Sequence, residues 1–415
     1  MKNTSLGYHT LSVHLKMKYD YFFLVERDFI NYANDPKNGM KRFPYVVGDR
    51  RLGWRYVYND DKGLQWRLCS FESPNGYSYH GITAIINPRV LMYNNYIHAA
   101  QADDIKSVKG IFNQKLQEIS PGMYDFDEWS MNRADYCLNI DTAELGLPCT
   151  AKQLIKLVKR ANIPKHFTER KKYDATSHRL RTDPDSFYLQ SKSVTINFYR
   201  KFAQQDLKHP NYANRDASFN VIRFEVQCKY PKLYAILNKY APESISGLYS
   251  FDESLEETDY DYDIGYDIFP SGIKPGSILT ASISREILEK YIYKTIRKGD
   301  YFTLDGAKEI VESYGFRADK EERLLYALDI VNEARGISAA MKKLPDLELA
   351  DFKRSLNDLD EILVNPVTIP RKWGIRHIPN PYRAYCDTVF AEQLVSRSEY
   401  VALKRIKIHK ETLSI

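Results

Sequence analysis

The chain has 415 residues and a mass of 48.4 kDa, which is longer than one typical compact domain and suits two or three. Apolar residues make up 43% and charged residues 27%, so we expect a sizeable core and no general disorder. No apolar run approaches the roughly 20 residues that span a bilayer, and residues 1–23 lack the apolar core of a signal peptide. These features predict a cytoplasmic protein without membrane contact.

The cysteines and the absent motifs exclude several classes of site. The five cysteines are widely spaced and form no CxxC pair, so a zinc site of standard spacing is not expected. Scattered free thiols fit a reducing cytosol. The sequence contains neither GxxxxGK[ST] nor GxGxxG, which argues against an ATPase or a dinucleotide-binding domain.

The net charge of +6 is distributed unevenly along the chain. Residues 252–267 carry eight acidic and no basic side chains, whereas residues 152–181 carry ten basic and two acidic ones. A basic body with a localised acidic stretch favours a polyanion as partner. The 32 tyrosines suit base-stacking surfaces, but they suit buried and half-buried sheet positions as well.

The first part of the chain predicts strands joined by polar turns, with a few helices. The expected elements are strands over 19–25, 64–71 and 81–86, a helix over 103–118, a strand over 134–140, a helix over 151–162 capped by Thr150, strands over 194–200 and 221–229, and a helix over 231–240.

The second part of the chain is helical by its periodicity. Residues 247–276 are acidic and rich in turn residues, so we expect a linker there between residues 1–246 and 277–415. The expected helices are 304–314 closing at Gly315, 319–334 with Asp319 and Glu322 at capping-box spacing, and 346–364. The predicted fold class is α+β, with a mainly antiparallel sheet followed by a helical C-terminal domain.

Three predicted strands have one polar and one apolar face. Their polar faces include Arg133, Asp135 and Asn139 on the first, Asn197, Tyr199 and Lys201 on the second, and Arg223, Glu225 and Gln227 on the third. If the strands share a sheet, Asp135, Glu225 and Tyr199 converge on its open face. Two carboxylates suit Mg²⁺ or Mn²⁺, and a tyrosine beside them can be a nucleophile if a cation such as Lys201 favours its phenolate.

A structural interpretation of the same pattern stays open. Amphipathic strands often present arginine and glutamate to solvent as cross-strand ion pairs. Asp135 and Glu225 would then pair with Arg223 and Arg133, and no metal would be needed.

Three segments resemble, in order and spacing, the motifs of rolling-circle replication initiators. They are Arg133-Ala-Asp135, Ser191-Lys-Ser193 followed by Tyr199-Arg-Lys201, and Arg223-Phe-Glu225, which match the R-x-D, Ser-Lys-Ser with Y-x-K, and R-F-E motifs. The relatives are transposase-like plasmid initiators, mobile-element relaxases of Gram-positive bacteria and the gene II protein of filamentous phages. Residues 85–91 also look like the S-P-x-x-V-L segment of the phage protein.

The resemblance implies an enzyme of the bacterial cytoplasm that nicks and rejoins one DNA strand at an origin. Tyr199 would form a 5′-phosphotyrosine, Lys201 and Arg223 would stabilise the phosphate, and Asp135 and Glu225 would hold Mg²⁺ or Mn²⁺. Origin DNA, a host helicase and a polymerase would be partners, and a homodimer is one source of a second tyrosine. A conjugative relaxase and a non-catalytic DNA-binding protein are the alternatives.

The sequence departs from the wider family in three places. It has no His-x-His metal motif, so the metal site would rest on carboxylates. Phe202 and Ala203 stand where a second tyrosine would lie. The region before Gly81 matches poorly, so the sequence identifies no third metal ligand.

Three further regions have both a functional and a structural interpretation. The basic residues near the tyrosine strand are expected to follow a DNA backbone, with a solvated loop as the alternative; they are Lys165, Arg170, Lys171, Lys172, Arg179, Arg181 and Lys192. The helices beyond residue 277 could include a helix-turn-helix that reads the origin, or they could be structural or bind a partner. The acidic run 252–267 could mimic DNA or act as a solvated linker.

Overall fold

The computed structural model describes residues 2–44, 54–60, 62–72, 78–174, 178–240, 242 and 272–391. Within them the strands are β1 (Ser5–Met17), β2 (Lys41–Pro44), β3 (Trp54–Asn59), β4 (Leu64–Glu72), β5 (Ser78–Ile86), β6 (Ser130–Asp141), β7 (Thr168–Glu169), β8 (Lys172–Asp174), β9 (Arg179–Arg181), β10 (Ser186–Gln190), β11 (Val194–Arg200), β12 (Val221–Lys229), β13 (Tyr301–Phe302) and β14 (His377–Ile378). The acidic run 252–267 lies outside the described residues.

The described helices divide between the sheet region and the C-terminal region. They include α1 (Tyr19–Asn34), α2 (Pro88–Tyr93), α3 (Ile105–Ile119), α4 (Ala151–Val158), α5 (Lys201–Lys208), α6 (Tyr230–Tyr240), α7 (Pro275–Ile278), α8 (Ala281–Ile296), α9 (Leu304–Ser313), α10 (Ala318–Ala334), α11 (Ile337–Met341) and α12 (Asp346–Glu361). None of these helices is both long and apolar enough to cross a membrane.

Ten of the described strands form one sheet in the order β2-β3-β4-β5-β1-β6-β12-β11-β10-β7. Every neighbouring pair in it is antiparallel. The helical region follows in the chain, so the predicted fold class, α+β with a mainly antiparallel sheet and a helical C-terminal part, is confirmed. The order also makes β6, β12 and β11 neighbours, as the site predicted from the sequence requires.

Helices cover the apolar face of this sheet. At one end, Phe29 of α1 packs its ring against Tyr58 and Trp66. At the centre, α8 contacts β1, β6 and β12, and its buried Ile287 belongs to the same core. The core of the sheet therefore extends past the linker expected at 247–276 and includes α8.

The strand expected over residues 19–25 is wrong, because these residues begin helix α1. Phe22, Val25 and Phe29 are buried at a spacing of three and four residues, which is the spacing of one helix face. The aromatic run has high strand propensity, but burial of this face against the sheet decides the conformation.

The C-terminal helices pack around a second, smaller apolar cluster. It is formed by Ala307, Val311, Leu324, Leu328, Leu359, Ile362 and Val364, from α9, α10, α12 and the chain after it. Helix α9 ends before Gly315, which has φ +62°, a conformation that favours glycine. The capping box expected at Asp319 is wrong, since α10 begins after Arg317, whose side chain makes no capping hydrogen bond.

Replacing Gly7 with alanine is expected to destabilise the protein. A Cβ atom at Gly7 would overlap the carbonyl oxygen of Ala100, so β1 and the chain at Ala100 would have to separate. We expect a loss of about 1–3 kcal/mol of unfolding free energy, measured by denaturant titration. Gly110→Ala is the control: nothing lies within 4 Å of that Cβ in helix α3, so it should stabilise by about 0.5–1 kcal/mol. Equal effects of the two changes would contradict this packing.

Candidate metal and nucleophile site

The register of three neighbouring strands places the motif residues on one face of the sheet. Tyr199 of β11 pairs with Arg223 of β12, which pairs with Asn139 of β6. In the next row with the same side-chain orientation, Glu225 pairs with Cys137. Asp135 follows one such row further along β6. Antiparallel pairing thus brings Asp135, Glu225 and Tyr199 to one face.

His9 joins the two carboxylates, and sequence reasoning missed it. Its Nδ1 lies 2.8 Å from Oε2 of Glu225. One ligand atom each from His9, Asp135 and Glu225 lie within 4.8 Å of one another. These are a nitrogen and two carboxylate oxygens, a set that fits a divalent cation and suits Mn²⁺ better than the strictly oxygen-preferring Mg²⁺.

A β-bulge in β1 directs His9 into the site. Tyr8 pairs with Tyr136 and Leu11 with Ala134, so two residues of β1, His9 and Thr10, face the one residue Asp135 of β6. Such an extra residue locally re-aims a side chain. The apolar alternation resumes at Leu11 on the core face, which leaves His9 beside the carboxylates.

The hydroxyl of Tyr199 touches the same carboxylate. It donates a hydrogen bond to Oε2 of Glu225 over 3.2 Å, and the side chain is buried. Burial, and next the negative charge of Glu225, raise the pKa of Tyr199 well above its usual value. The phenol therefore keeps its proton at neutral pH, and an acceptor or a cation must activate it.

The two basic residues expected to stabilise the phosphate, Lys201 and Arg223, both lie next to Tyr199. Lys201 is the first residue of α5 and not part of a strand, with its Nζ 5.7 Å from the centre of the Tyr199 ring and 2.6 Å from Oε1 of Gln204. Burial lowers the pKa of Lys201 well below its usual value. Arg223 is fully buried; its Nε donates to Asn139, and among the described residues its Nη1 has no hydrogen-bond acceptor.

Asp135 already has a partner on its own strand. Arg133 donates from Nε to Oδ1 over 2.8 Å and from Nη2 to Oδ2 over 2.6 Å, as a forked pair. Burial raises the pKa of Asp135, while Arg133 opposes that rise. The ion pair expected in the structural interpretation is thus present for Asp135, but with its strand neighbour and not across strands.

Glu225 pairs with the imidazole of His9. Burial favours a raised pKa for Glu225, but the hydrogen bond with His9 and the positive charges of Arg223 and Arg133 outweigh it and lower the pKa. Burial lowers the pKa of His9 to about 4. At neutral pH the site therefore presents an ionised carboxylate and a neutral imidazole, the forms that bind metals.

The polar face is not open at this point, contrary to the expectation from alternation. Asp135, Asn139 and Arg223 are fully buried. The carbonyl oxygen of Ile97 accepts hydrogen bonds from Arg223 and, over 2.8 Å, from Nδ2 of Asn139. We call residues 95–100 the covering segment, since its backbone lies over this part of the face.

One of the basic residues predicted to follow a DNA backbone, Arg170, borders the same face. Tyr188 of β10 pairs with Asn197, which pairs with Glu225, and the guanidinium of Arg170 lies 5.3 Å from the Tyr188 ring centre. The exposed residues of the predicted set are Lys165, Arg170, Lys171, Arg181 and Lys192. The side chains of Lys172 and Arg179 lie outside the described part of the chain.

Helices α9 and α10 are joined by four residues, as a helix-turn-helix would be. The first turn of α10, which would approach DNA in such a motif, carries the acidic residues Asp319 and Glu321. Negative charge there is unfavourable next to a phosphate backbone. We therefore do not propose that this helix reads an origin.

Comparisons with known proteins give a faint similarity. No protein-family model matches the chain, and no curated protein matches it. Among solved structures, a rolling circle replication initiator protein from Geobacillus stearothermophilus is similar at 12% identity and a TM-score of 0.28, over 69% of this chain and 96% of that chain. At this level the similarity does not decide a function, which has to be inferred from the residues of the site.

Proposed function

We propose that this chain is a metal-dependent enzyme that nicks and rejoins one DNA strand, as a rolling-circle replication initiator does. One observation carries the proposal: the hydroxyl of Tyr199 donates a hydrogen bond to Glu225, and Glu225 forms a cluster of potential metal ligands with His9 and Asp135. A phenol next to potential metal ligands would lie beside the cation that activates a phosphodiester for attack. The order of the three sequence motifs supports the same class.

In the proposed reaction, the phenolic oxygen of Tyr199 attacks the phosphorus of a phosphodiester. A new P–O bond to tyrosine forms and the bond to the 3′ oxygen breaks, so the products are a 5′-phosphotyrosine and a 3′-hydroxyl. The phenolic proton leaves to a water molecule, and the 3′ oxygen takes up a proton. Reversal rejoins the strand without ATP.

The side chains of the site have separate roles in this proposal. His9, Asp135 and Glu225 would hold a divalent cation, which polarises the phosphoryl oxygen. Arg223, the ladder partner of Tyr199, would stabilise the charge on the transferring phosphate. On this proposal, a host helicase and polymerase act at the 3′ end, and a second copy of the chain would supply a second tyrosine.

A covalent-trapping experiment tests the proposal. The protein is incubated with Mn²⁺ and supercoiled DNA from the locus that encodes it, then denatured, digested and examined by peptide mass spectrometry. We expect nicked DNA and a nucleotide adduct on Tyr199. Nicked DNA without any adduct would instead indicate a hydrolytic nuclease.

A non-catalytic DNA-binding protein on the same scaffold is the second candidate. The forked pair between Arg133 and Asp135 favours it, because an ion-paired carboxylate satisfies a buried site without metal. This candidate predicts DNA binding that falls steeply with salt but neither nicking nor adduct.

A further inference from the structure

Three aromatic rings form a cluster beside the candidate nucleophile, and the proposed reaction does not use them. The ring of Tyr96 lies 4.0 Å from that of His209 at an angle of 34°, and 5.1 Å from that of Tyr212 at 75°. All three side chains are half-buried. We call Tyr96, His209 and Tyr212 the aromatic cluster.

Both sides of the aromatic cluster are joined to the Tyr199 site through intermediate residues. Tyr96 lies in the covering segment next to Ile97, whose carbonyl oxygen accepts from Arg223, the ladder partner of Tyr199. His209 follows α5, the helix that begins with Lys201. Within α5, Gln205 donates from Nε2 to the carbonyl oxygen of Tyr96 over 3.2 Å, which joins the two sides.

The surroundings of the aromatic cluster are partly apolar and mixed in charge: Arg215 forms ion pairs with Asp206 and Asp216, and Lys208 is exposed. The guanidinium of Arg215 lies 5.3 Å from the ring centre of Phe202, which in turn packs edge-on against the exposed Phe219. Burial lowers the pKa of His209, and the positive charge of the nearby Lys208 lowers it further. The imidazole is therefore neutral at neutral pH and presents an uncharged ring.

This combination has the chemistry of a single-stranded nucleic acid subsite. Bases stack on aromatic side chains whatever their identity, and nearby cations attract the phosphates. Duplex DNA offers no free base faces, so rings next to the nucleophile suit only an unpaired base.

We infer that the aromatic cluster stacks an unpaired nucleobase of single-stranded DNA close to the phosphate that Tyr199 would attack. This inference rests on the proposed function for the identity of the ligand as DNA. It gives these three rings a specific role, because a base held by the cluster positions the scissile phosphate beside Tyr199.

Photocrosslinking on the unaltered protein tests the inference without any variant. The probe is a 12-nucleotide oligothymidylate with one thymine replaced by 5-iodouracil, at a different position in each oligonucleotide. We expect crosslinks to Tyr96, His209 or Tyr212 from a narrow range of positions. Crosslinks distributed over other surfaces, with none on these three residues, would overturn the inference.

Matched variants separate stacking from a structural role. Tyr212→Leu should weaken binding of oligothymidylate by about 5- to 100-fold, whereas Tyr212→Phe keeps the ring and should bind normally. An oligonucleotide with one abasic site at the crosslinking position should bind the unaltered protein more weakly than oligothymidylate, but Tyr212→Leu should bind both equally. A persistent difference in Tyr212→Leu would contradict stacking on this cluster.

The outcome is distinguishable from failure of the proposed function. If the protein crosslinks through the aromatic cluster but does not nick DNA, the base subsite is supported and the proposed role of Tyr199 as nucleophile is refuted. Nicking with an adduct on Tyr199, but without crosslinks to the cluster, would retain the enzyme and refute the subsite.

Discussion

Replacing Tyr199 with phenylalanine is expected to abolish nicking and covalent attachment to DNA, with a rate loss of at least about 10³-fold. The change removes the attacking oxygen but keeps the ring in the β11 ladder opposite Arg223. It also removes one hydrogen bond to the ionised Glu225, worth about 1.5–3 kcal/mol, so the protein should lose some stability but still fold and bind DNA. The measurements are conversion of supercoiled to nicked DNA and fluorescence anisotropy with the same DNA.

Tyr188→Phe is the matched control for this experiment. Tyr188 lies on the same face of the sheet, two strands from Glu225 and against Arg170, and it should keep its nicking rate. A Tyr199→Phe variant that still nicks and forms an adduct on another tyrosine would retain the enzyme class and refute Tyr199. A variant that nicks normally without any adduct would refute the covalent mechanism.

The central strands of the sheet could be predicted because their apolar residues alternate without interruption. In β12, Ile222, Phe224 and Val226 face the core, and alternation then fixes Arg223 and Glu225 on the other face. Alternation could not predict that the covering segment, residues 95–100, buries that face. The covering segment is brought there by backbone contacts, such as Tyr8 with Ala100, which carry no sequence pattern.

The position of His9 could not be predicted, because a bulge interrupts the two-residue period of β1. The core residues Tyr8 and Leu11 are three apart, so a search for alternation breaks at His9 and Thr10. The sequence does contain a signal for this bulge. The alternation breaks at His9 and is renewed afterwards by Leu11, Val13 and Leu15.

The role of Lys201 could not be predicted from strand alternation either. The strand ends at Arg200, and Lys201 begins α5, so helix geometry sets its direction. Sequence spacing correctly placed a basic residue near Tyr199 but gave no account of burial. Burial raises the pKa of Tyr199 and lowers that of Lys201, the reverse of a simple lysine-activated phenolate.

Glu225→Gln and Asp135→Asn are each expected to abolish metal-dependent cleavage and to weaken Mn²⁺ binding by more than about 100-fold. The amides keep the shape of the side chains but lose the negative charge that the cation needs. Binding is measured by electron paramagnetic resonance of free Mn²⁺, which requires no activity. Glu144→Gln is the control, because this exposed carboxylate accepts from the backbone of Asn3 and Thr4 and belongs to no cluster with His9.

His9→Ala makes the same test specific to the three-ligand site. The loss of an imidazole nitrogen should weaken Mn²⁺ more than Mg²⁺, since nitrogen ligands favour Mn²⁺. Asp135 could instead serve only as the ion-pair partner of Arg133. In that case Asp135→Asn would lower the stability of the protein and leave Mn²⁺ binding unchanged. That result would remove Asp135 from the metal site. His9 of β1 and Glu225 of β12, which lie on the two sides of β6, would then have to hold the cation with water and the DNA phosphate.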